Sequence, residues 1–290
     1  MPTRLTLALL LTCYASPLLA QQAEPEISKQ LEVVYGQGGS QSLHLDLARP
    51  TGAGPFPAVV AIHGGSWRSG NKAMFRPLLD RLAKRGFVAI AIQYRLAPQH
   101  RWPAQLEDAK CAVRWLRAHA NRLRIDPQRI GAVGFSAGAH LALLLGSVDA
   151  KRGFEGQGGH AGYSSKVQAV IDFFGPTDLR GFRGRTMEDF LGGSNEELPE
   201  RYAEASPILS YKAGDAPVLL IHGTLDRLVP LEQSVKMARR LTVLGVRNSL
   251  VTVEQEGHGW FGPKLDRNIE QSLSFLDAVL RQSSAKPRLY

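Results

Sequence analysis

Gly134-Phe135-Ser136-Ala137-Gly138 is the sharpest chemical signal in this chain. It follows an apolar run, Ile130–Phe135, and precedes a helical pattern, Ala137–Gly146. A tight turn from strand to helix pushes a serine hydroxyl out of the sheet, and flanking glycines admit the close backbone approach. The helix N-terminus places a positive dipole beneath any charge that develops there. The N–H of Ala137 faces the same space. Such a serine suits attack on an acyl carbon once a base has taken its proton.

Two more clusters have the residue types that this chemistry needs. His63-Gly64-Gly65-Ser66-Trp67 follows the apolar run Ala58–Ile62. A glycine pair turns its N–H groups outward without a Cβ clash, so Gly64, Gly65 and Ala137 are the candidate oxyanion donors. His63 reads as a residue that orients this loop. Of the 8 histidines, His44 and His119 read as structural and His160 sits in a loop. His140 lies too far along its helix to turn back onto Ser136, and His222 ends a buried strand. His258, between Gly257 and Gly259 just past the last expected strand, is the candidate base. Asp226 is the candidate acid, since a carboxylate there holds the imidazole Nδ1–H and stabilises the imidazolium. Asp178, also placed after a buried strand, is its rival. Trp67, Trp260 and Phe261 flank these motifs. Trp67 and Trp260 are the candidate substrate-binding residues, with plain core packing as the competing reading.

These side chains need a scaffold that brings distant loops together. Leu31–Tyr35 and Leu43–Ala48 alternate and read as antiparallel strands. Ala58–Ile62, Phe87–Ile92, Ile130–Phe135, Val167–Phe173, Val218–Ile221 and Ser249–Val253 are continuous apolar runs, suited to strands buried on both faces of a parallel sheet. Helical patterns lie at Met74–Lys84, Ala104–Ala120, Ala137–Gly146, Leu231–Leu244 and Ile269–Leu280. Strand and helix alternate throughout, which predicts a doubly wound α/β domain with helices on both faces. Its expected span is 31–282, after a flexible segment at 21–30. Two insertions, 149–166 and 176–215, are expected; the second contains a helix at Thr186–Leu191. Long excursions of this kind supply lids and substrate walls.

The 290 residues carry a formal net charge of +9, with 21% charged and 44% hydrophobic residues. Basic residues come in pairs such as Arg239-Arg240 instead of a stripe, which argues against nucleic acid as a partner. Only Cys13 and Cys111 occur, so a cysteine metal site and an intrachain disulfide are both excluded once a leader is removed. No metal and no cofactor are expected. Residues 1–20 pair Arg4 with the apolar run Leu5–Leu11 and end on Ala20, the pattern of a secretory signal peptide. Export to the periplasm or medium follows. No later stretch reaches the ~18 apolar residues of a membrane span.

Taken jointly, these motifs resemble the α/β-hydrolase esterases, and most closely the bacterial feruloyl/acetyl esterase-like group beside the hormone-sensitive-lipase-like family. The resemblance rests on His63–Trp67, Gln93-Tyr94-Arg95-Leu96-Ala97-Pro98, Trp102-Pro103-Ala104 with Asp108, Gly134–Gly138, Asp172–Leu179, Ala205-Ser206-Pro207, His222–Pro230 and Gly257–Trp260. The order Ser136, Asp226, His258 is that of α/β-hydrolase triads. The family often has a third glycine where this chain has Ser66. The resemblance implies an α/β-hydrolase fold, a serine ester hydrolase using Ser136, Asp226 and His258, and a brace from Tyr94-Arg95 to the oxyanion loop. The expected substrates are small or polysaccharide-linked esters with acetyl or feruloyl groups. A prolyl-oligopeptidase-like peptidase and a non-catalytic hydrolase-like binding protein are the alternatives. Arg180, Arg183 and Arg185 could meet a carboxylate-bearing substrate or form a solvated face.

Overall fold

The computed structural model describes residues 25–281 of the chain. The leader pattern at 1–20 lies outside them. Eight strands form one sheet in the order β1-β2-β4-β3-β5-β6-β7-β8. They are β1 (Ile27–Gly38), β2 (Gln41–Pro50), β3 (Phe56–Ile62), β4 (Val88–Ile92), β5 (Ile125–Phe135), β6 (Ala169–Phe173), β7 (Val218–Gly223) and β8 (Asn248–Val253). β1–β2 and β2–β4 are antiparallel, and every pairing from β4 through β8 is parallel. β4, β6 and β7 are buried at every position, as suits strands that are apolar but for Asp172 and His222. From β3 the chain steps to β4 on one side, and later to β5 on the other. The loops leaving β3 and β5 therefore diverge, and a crevice opens at the carboxyl ends of these two strands.

Helices cover both faces. α1 (Arg76–Lys84), entered through a 3₁₀ turn at Lys72–Phe75, and α9 (Pro263–Leu280) enclose one core. α2 (Ala104–Ala118), α3 (Ala120–Leu123), α4 (Ala137–Ser147) and α8 (Glu232–Val243) enclose the other. α4 is buried at every residue, which is the lot of a helix apolar all round. It fixes the turn that carries Ser136 to the centre of the molecule.

The structure departs from the sequence reading at the starts of β1 and α9. Residues 27–30, expected to be flexible, pair with Leu47–Pro50 in β1. Irregular register between Gln30 and Val33 and between Val34 and Gly36 breaks the alternation that would have shown the full strand. α9 starts at Pro263 instead of Ile269, because its first turns are polar and only a proline at the start marks them. The 149–166 insertion packs along α2. Glu155 meets Lys110 and Arg114, and Arg117 donates to the carbonyls of Ser164 and Lys166. The 176–215 insertion forms α5 (Arg185–Leu191), α6 (Pro199–Glu204) and α7 (Pro207–Ser210).

Candidate active site

Ser136 sits between β5 and α4 with φ 54° and ψ −121°, a strained conformation for a residue with a side chain. Its N–H donates to the Phe173 carbonyl on β6 (2.9 Å), and its carbonyl accepts from the N–H of His140 (3.1 Å). The glycines on either side are sterically required. A Cβ at 134 would run into the Gly138 carbonyl, and one at 138 into the Ile62 carbonyl on β3.

The serine hydroxyl lies 2.8 Å from His258 Nε2. His258 Nδ1 lies 2.7 Å from Asp226 Oδ2. The Nδ1–H is given to the carboxylate, so Nε2 keeps its lone pair for the serine proton. Asp226 Oδ1 accepts from the N–H groups of Leu228 and Val229, both at 2.9 Å. Burial would push the Asp226 carboxyl up. Hydrogen bonds from His222, His258 and the Val229 N–H outweigh it and hold the group far below the usual carboxylate range. Asp226 is thus a fixed anion behind a half-buried imidazole. Phe174 packs edge-on against the ring, 4.8 Å between centroids.

The loop after β3 forms the facing wall. Gly65, Ser66 and Trp67 have consecutive positive φ values of 111°, 55° and 58°. A Cβ at Gly64 would lie 2.8 Å from the Phe135 carbonyl and 3.2 Å from Ser136 Cβ, so only glycine lets this backbone close on the serine turn. His63 is buried, donates Nδ1–H to the Gly64 carbonyl (2.7 Å) and stacks on Tyr94 at 4.3 Å. The Tyr94 hydroxyl donates to the His63 carbonyl (3.0 Å). Arg95 anchors the same strand end to Asp108 on α2 (2.7 Å). The brace is therefore direct for Tyr94 and indirect for Arg95. Desolvation lowers His63 to a pKa of about 4, which keeps it a neutral structural ring.

Trp67 is not in the substrate pocket. It is buried, stacks on Phe190 at 4.1 Å and donates Nε1–H to His140 Nδ1 (3.2 Å). The left-handed turn at Ser66–Trp67 swings the indole away from the crevice, into the core under α5. Trp260 does line the pocket, its Nε1–H held by Asn268 (3.0 Å). The cavity measures about 450 Å³ and brings Gly64, Gly65, Ser136, His258 and Trp260 together. Met74, Leu228 and Phe261 form its exposed apolar rim. Phe174, Leu228 and Leu265, none of them singled out in the sequence as site residues, also line it. Neither insertion contributes a lining residue.

Asp178 is spoken for elsewhere. It caps the turn at Leu179 and pairs with Arg180 (2.8 Å). Arg183 pairs with Glu196 and Arg185 with Asp189, so all three arginines of this segment meet acidic partners of their own.

Comparison with known proteins gives the family. The BD-FAE profile matches residues 45–241, a span that holds the β3 loop, the Ser136 turn and Asp226. The chain belongs to the BD-FAE family. It is 32% identical over 237 residues to Esterase LipC of Mycobacterium tuberculosis, covering 78% of this chain and 58% of that protein. The chain spans about half the length of the curated relatives it matches. Among solved structures, a truncated carbohydrate esterase from gut microbiota superposes with a TM-score of 0.78 at 28% identity, covering 89% of this chain and 97% of that one. A butyrate-bound esterase from Thermogutta terrifontis superposes with a TM-score of 0.73 at 31% identity, covering 89% and 95%. The family thus fixes the fold as that of the α/β-hydrolase esterases.

Proposed function

We propose that the protein is a serine carboxylic-ester hydrolase that works through an acyl-enzyme. The observation that carries this reading is the unbroken line from Ser136 Oγ through His258 to Asp226, at 2.8 and 2.7 Å, in one cavity with Gly64 and Gly65. His258 takes the hydroxyl proton as Ser136 Oγ attacks the ester carbonyl. The N–H groups of Gly64, Gly65 and Ala137 receive the oxyanion, and Asp226 stabilises the imidazolium. His258 then protonates the leaving alcohol. Water, deprotonated by the same ring, releases the acid and restores Ser136.

The preferred acyl groups are short or aromatic, of acetyl or feruloyl type, on small molecules or plant polysaccharides. A cavity of about 450 Å³ with an apolar lining supports this, as do a butyrate-bound relative and a carbohydrate esterase among the structural neighbours. The signal-peptide pattern at 1–20 supports action outside the cytoplasm.

Ser136→Ala is expected to lower kcat on p-nitrophenyl acetate by at least ~10³-fold and to abolish covalent labelling by a fluorophosphonate. A variant that retains near wild-type turnover sinks the reading. A panel of C2 to C12 esters with methyl ferulate and acetylated xylan tests the acyl preference; equal rates on C2 and C12 would refute it.

A further inference from the structure

His222, next to last in β7, is fully buried and has no place in the catalytic steps above. Its Nε2 faces two acceptors: the Val229 carbonyl at 2.8 Å and Asp226 Oδ2 at 3.3 Å. Its Nδ1 lies 2.7 Å from Ser234 Oγ on α8. Neither a carbonyl nor an ionised carboxylate has a proton to give, so Nε2 must carry one. Ser234 can then donate its hydroxyl proton to Nδ1. One tautomer satisfies every contact, and it aims an N–H at the oxygen that also holds His258.

We infer that His222 is a positioning residue for the proposed ester hydrolysis, a second imidazole that shares Asp226 Oδ2 with His258 and limits how much negative charge that oxygen presents to the base. The four donors on Asp226 divide cleanly. Oδ1 is held by the N–H groups of Leu228 and Val229. Oδ2 is held by His258 on one side and His222 on the other. The main-chain pair sets the height of the carboxylate, but without His222 the second oxygen has only the moving imidazole to fix it. The other titratable group facing His222 is Asp172 on the neighbouring strand β6. Burial, partly offset by the hydrogen bond from the Gly175 N–H, raises it to a pKa of about 7.

The inference rests on the proposed function, but its test can be separated from it. His222→Leu removes the N–H, and His222→Gln offers an amide N–H to the same oxygen. With the donor gone, the charge on Oδ2 concentrates toward His258 and favours its protonated form. The Leu variant is expected to lose about tenfold in kcat on p-nitrophenyl acetate with little change in KM. The acid limb of its kcat/KM profile moves to higher pH. The Gln variant recovers at least half of the kcat loss and moves the limb back. Proton NMR reads the same change without any turnover: the downfield resonance of the hydrogen-bonded His258 Nδ1–H titrates at higher pH in the Leu variant. If the Leu variant does not fold, Ser234→Ala replaces it, since losing the Nδ1 partner unfixes the tautomer; a smaller shift of that resonance in the same direction is expected. Unchanged NMR titration in whichever of these variants folds overturns the inference, whatever the assay shows. Wild-type protein that neither hydrolyses esters nor reacts with a fluorophosphonate overturns the function, and leaves the NMR titration to decide the role of His222.

Discussion

The two walls of the pocket hold their working groups by different means. The oxyanion wall after β3 is backed by buried rings: His63 stacks on Tyr94, and Trp67 is sandwiched against Phe190 with its N–H on His140. The wall after β7 and β8 is open. His258 is half-buried between two glycines; Phe174 and Trp260 beside it are buried, but the rim residues Leu228 and Phe261 are 61% and 89% exposed. The difference follows the chemistry. Oxyanion donors act only if they are already aimed when charge develops. The base must exchange protons with serine, leaving group and water in turn, so it tolerates a looser mount. Its one rigid point is the carboxylate behind it.

This contrast makes the oxyanion wall the more fragile of the two. Gly65 has φ 111°, and an added Cβ would strike the Ser69 carbonyl. Arg68 and Ser69 N–H groups both donate to the Gly65 carbonyl at 3.0 Å, so the turn cannot relax without losing them. Gly65→Ala is expected to cut kcat by ~10²–10³, the usual effect of losing one oxyanion donor, with fluorophosphonate labelling slowed to match. A loss below about tenfold would mean that this wall adjusts, and the contrast between the two would fail.

The buried rings also give the oxyanion wall its own response to acid. His140 is fully buried, donates Nε2–H to the Ala205 carbonyl (2.7 Å) and accepts from Trp67. Desolvation lowers it to a pKa of about 4. Its folded-state pKa is depressed, so the unfolded chain binds the proton first. The stability tied to the neutral ring is present above about 6.5 and is lost as pH falls toward about 4. His63 behaves alike. Asp172, raised to about 7, has the opposite slope over much of this range, so the wild-type profile alone is ambiguous. A paired comparison removes that term. His140→Gln should gain on the wild type by ~2–3 kcal/mol between pH 7.5 and 4.5, measured by urea unfolding at each pH. A constant difference across that range would show that His140 is not held neutral.

The sequence was legible where backbone and chemistry impose the same residue. Gly134, Gly138 and Gly64 are needed both for the turns and for the close approach of three chain segments, so the Ser136 turn is legible in the sequence. Asp226 and His258 read as partners because each follows a strand at the same sheet edge, and the structure brings them to 2.7 Å. The place of Trp67 is not legible, because flanking a motif says nothing of side-chain direction; positive φ at Ser66 and Trp67 turns the indole into the core. The start of β1 was hidden by its register shifts, and the first turns of α9 by their polar surface. His222 reads as buried from its apolar strand, but no pattern in one sequence reveals that its ring reaches a carboxylate four residues on.

The smallest expected effect tests the open wall. Phe261 is 89% exposed yet lines the cavity mouth beside Trp260. A ring so placed has little to contribute until a substrate covers it. Phe261→Ala should therefore leave the melting temperature nearly unchanged, as surface substitutions do, within about 0.5 kcal/mol. A bound acyl or alcohol group would cover part of the ring, and losing that contact should cost on the order of 1 kcal/mol. It is uniform binding, equal in ground and transition states, so the loss appears as a roughly three- to fivefold rise in KM for p-nitrophenyl butyrate with kcat within about twofold. A fall in kcat instead, with KM constant, would mean that the ring helps to place His258. The His258 wall would then be as constrained as the one facing it.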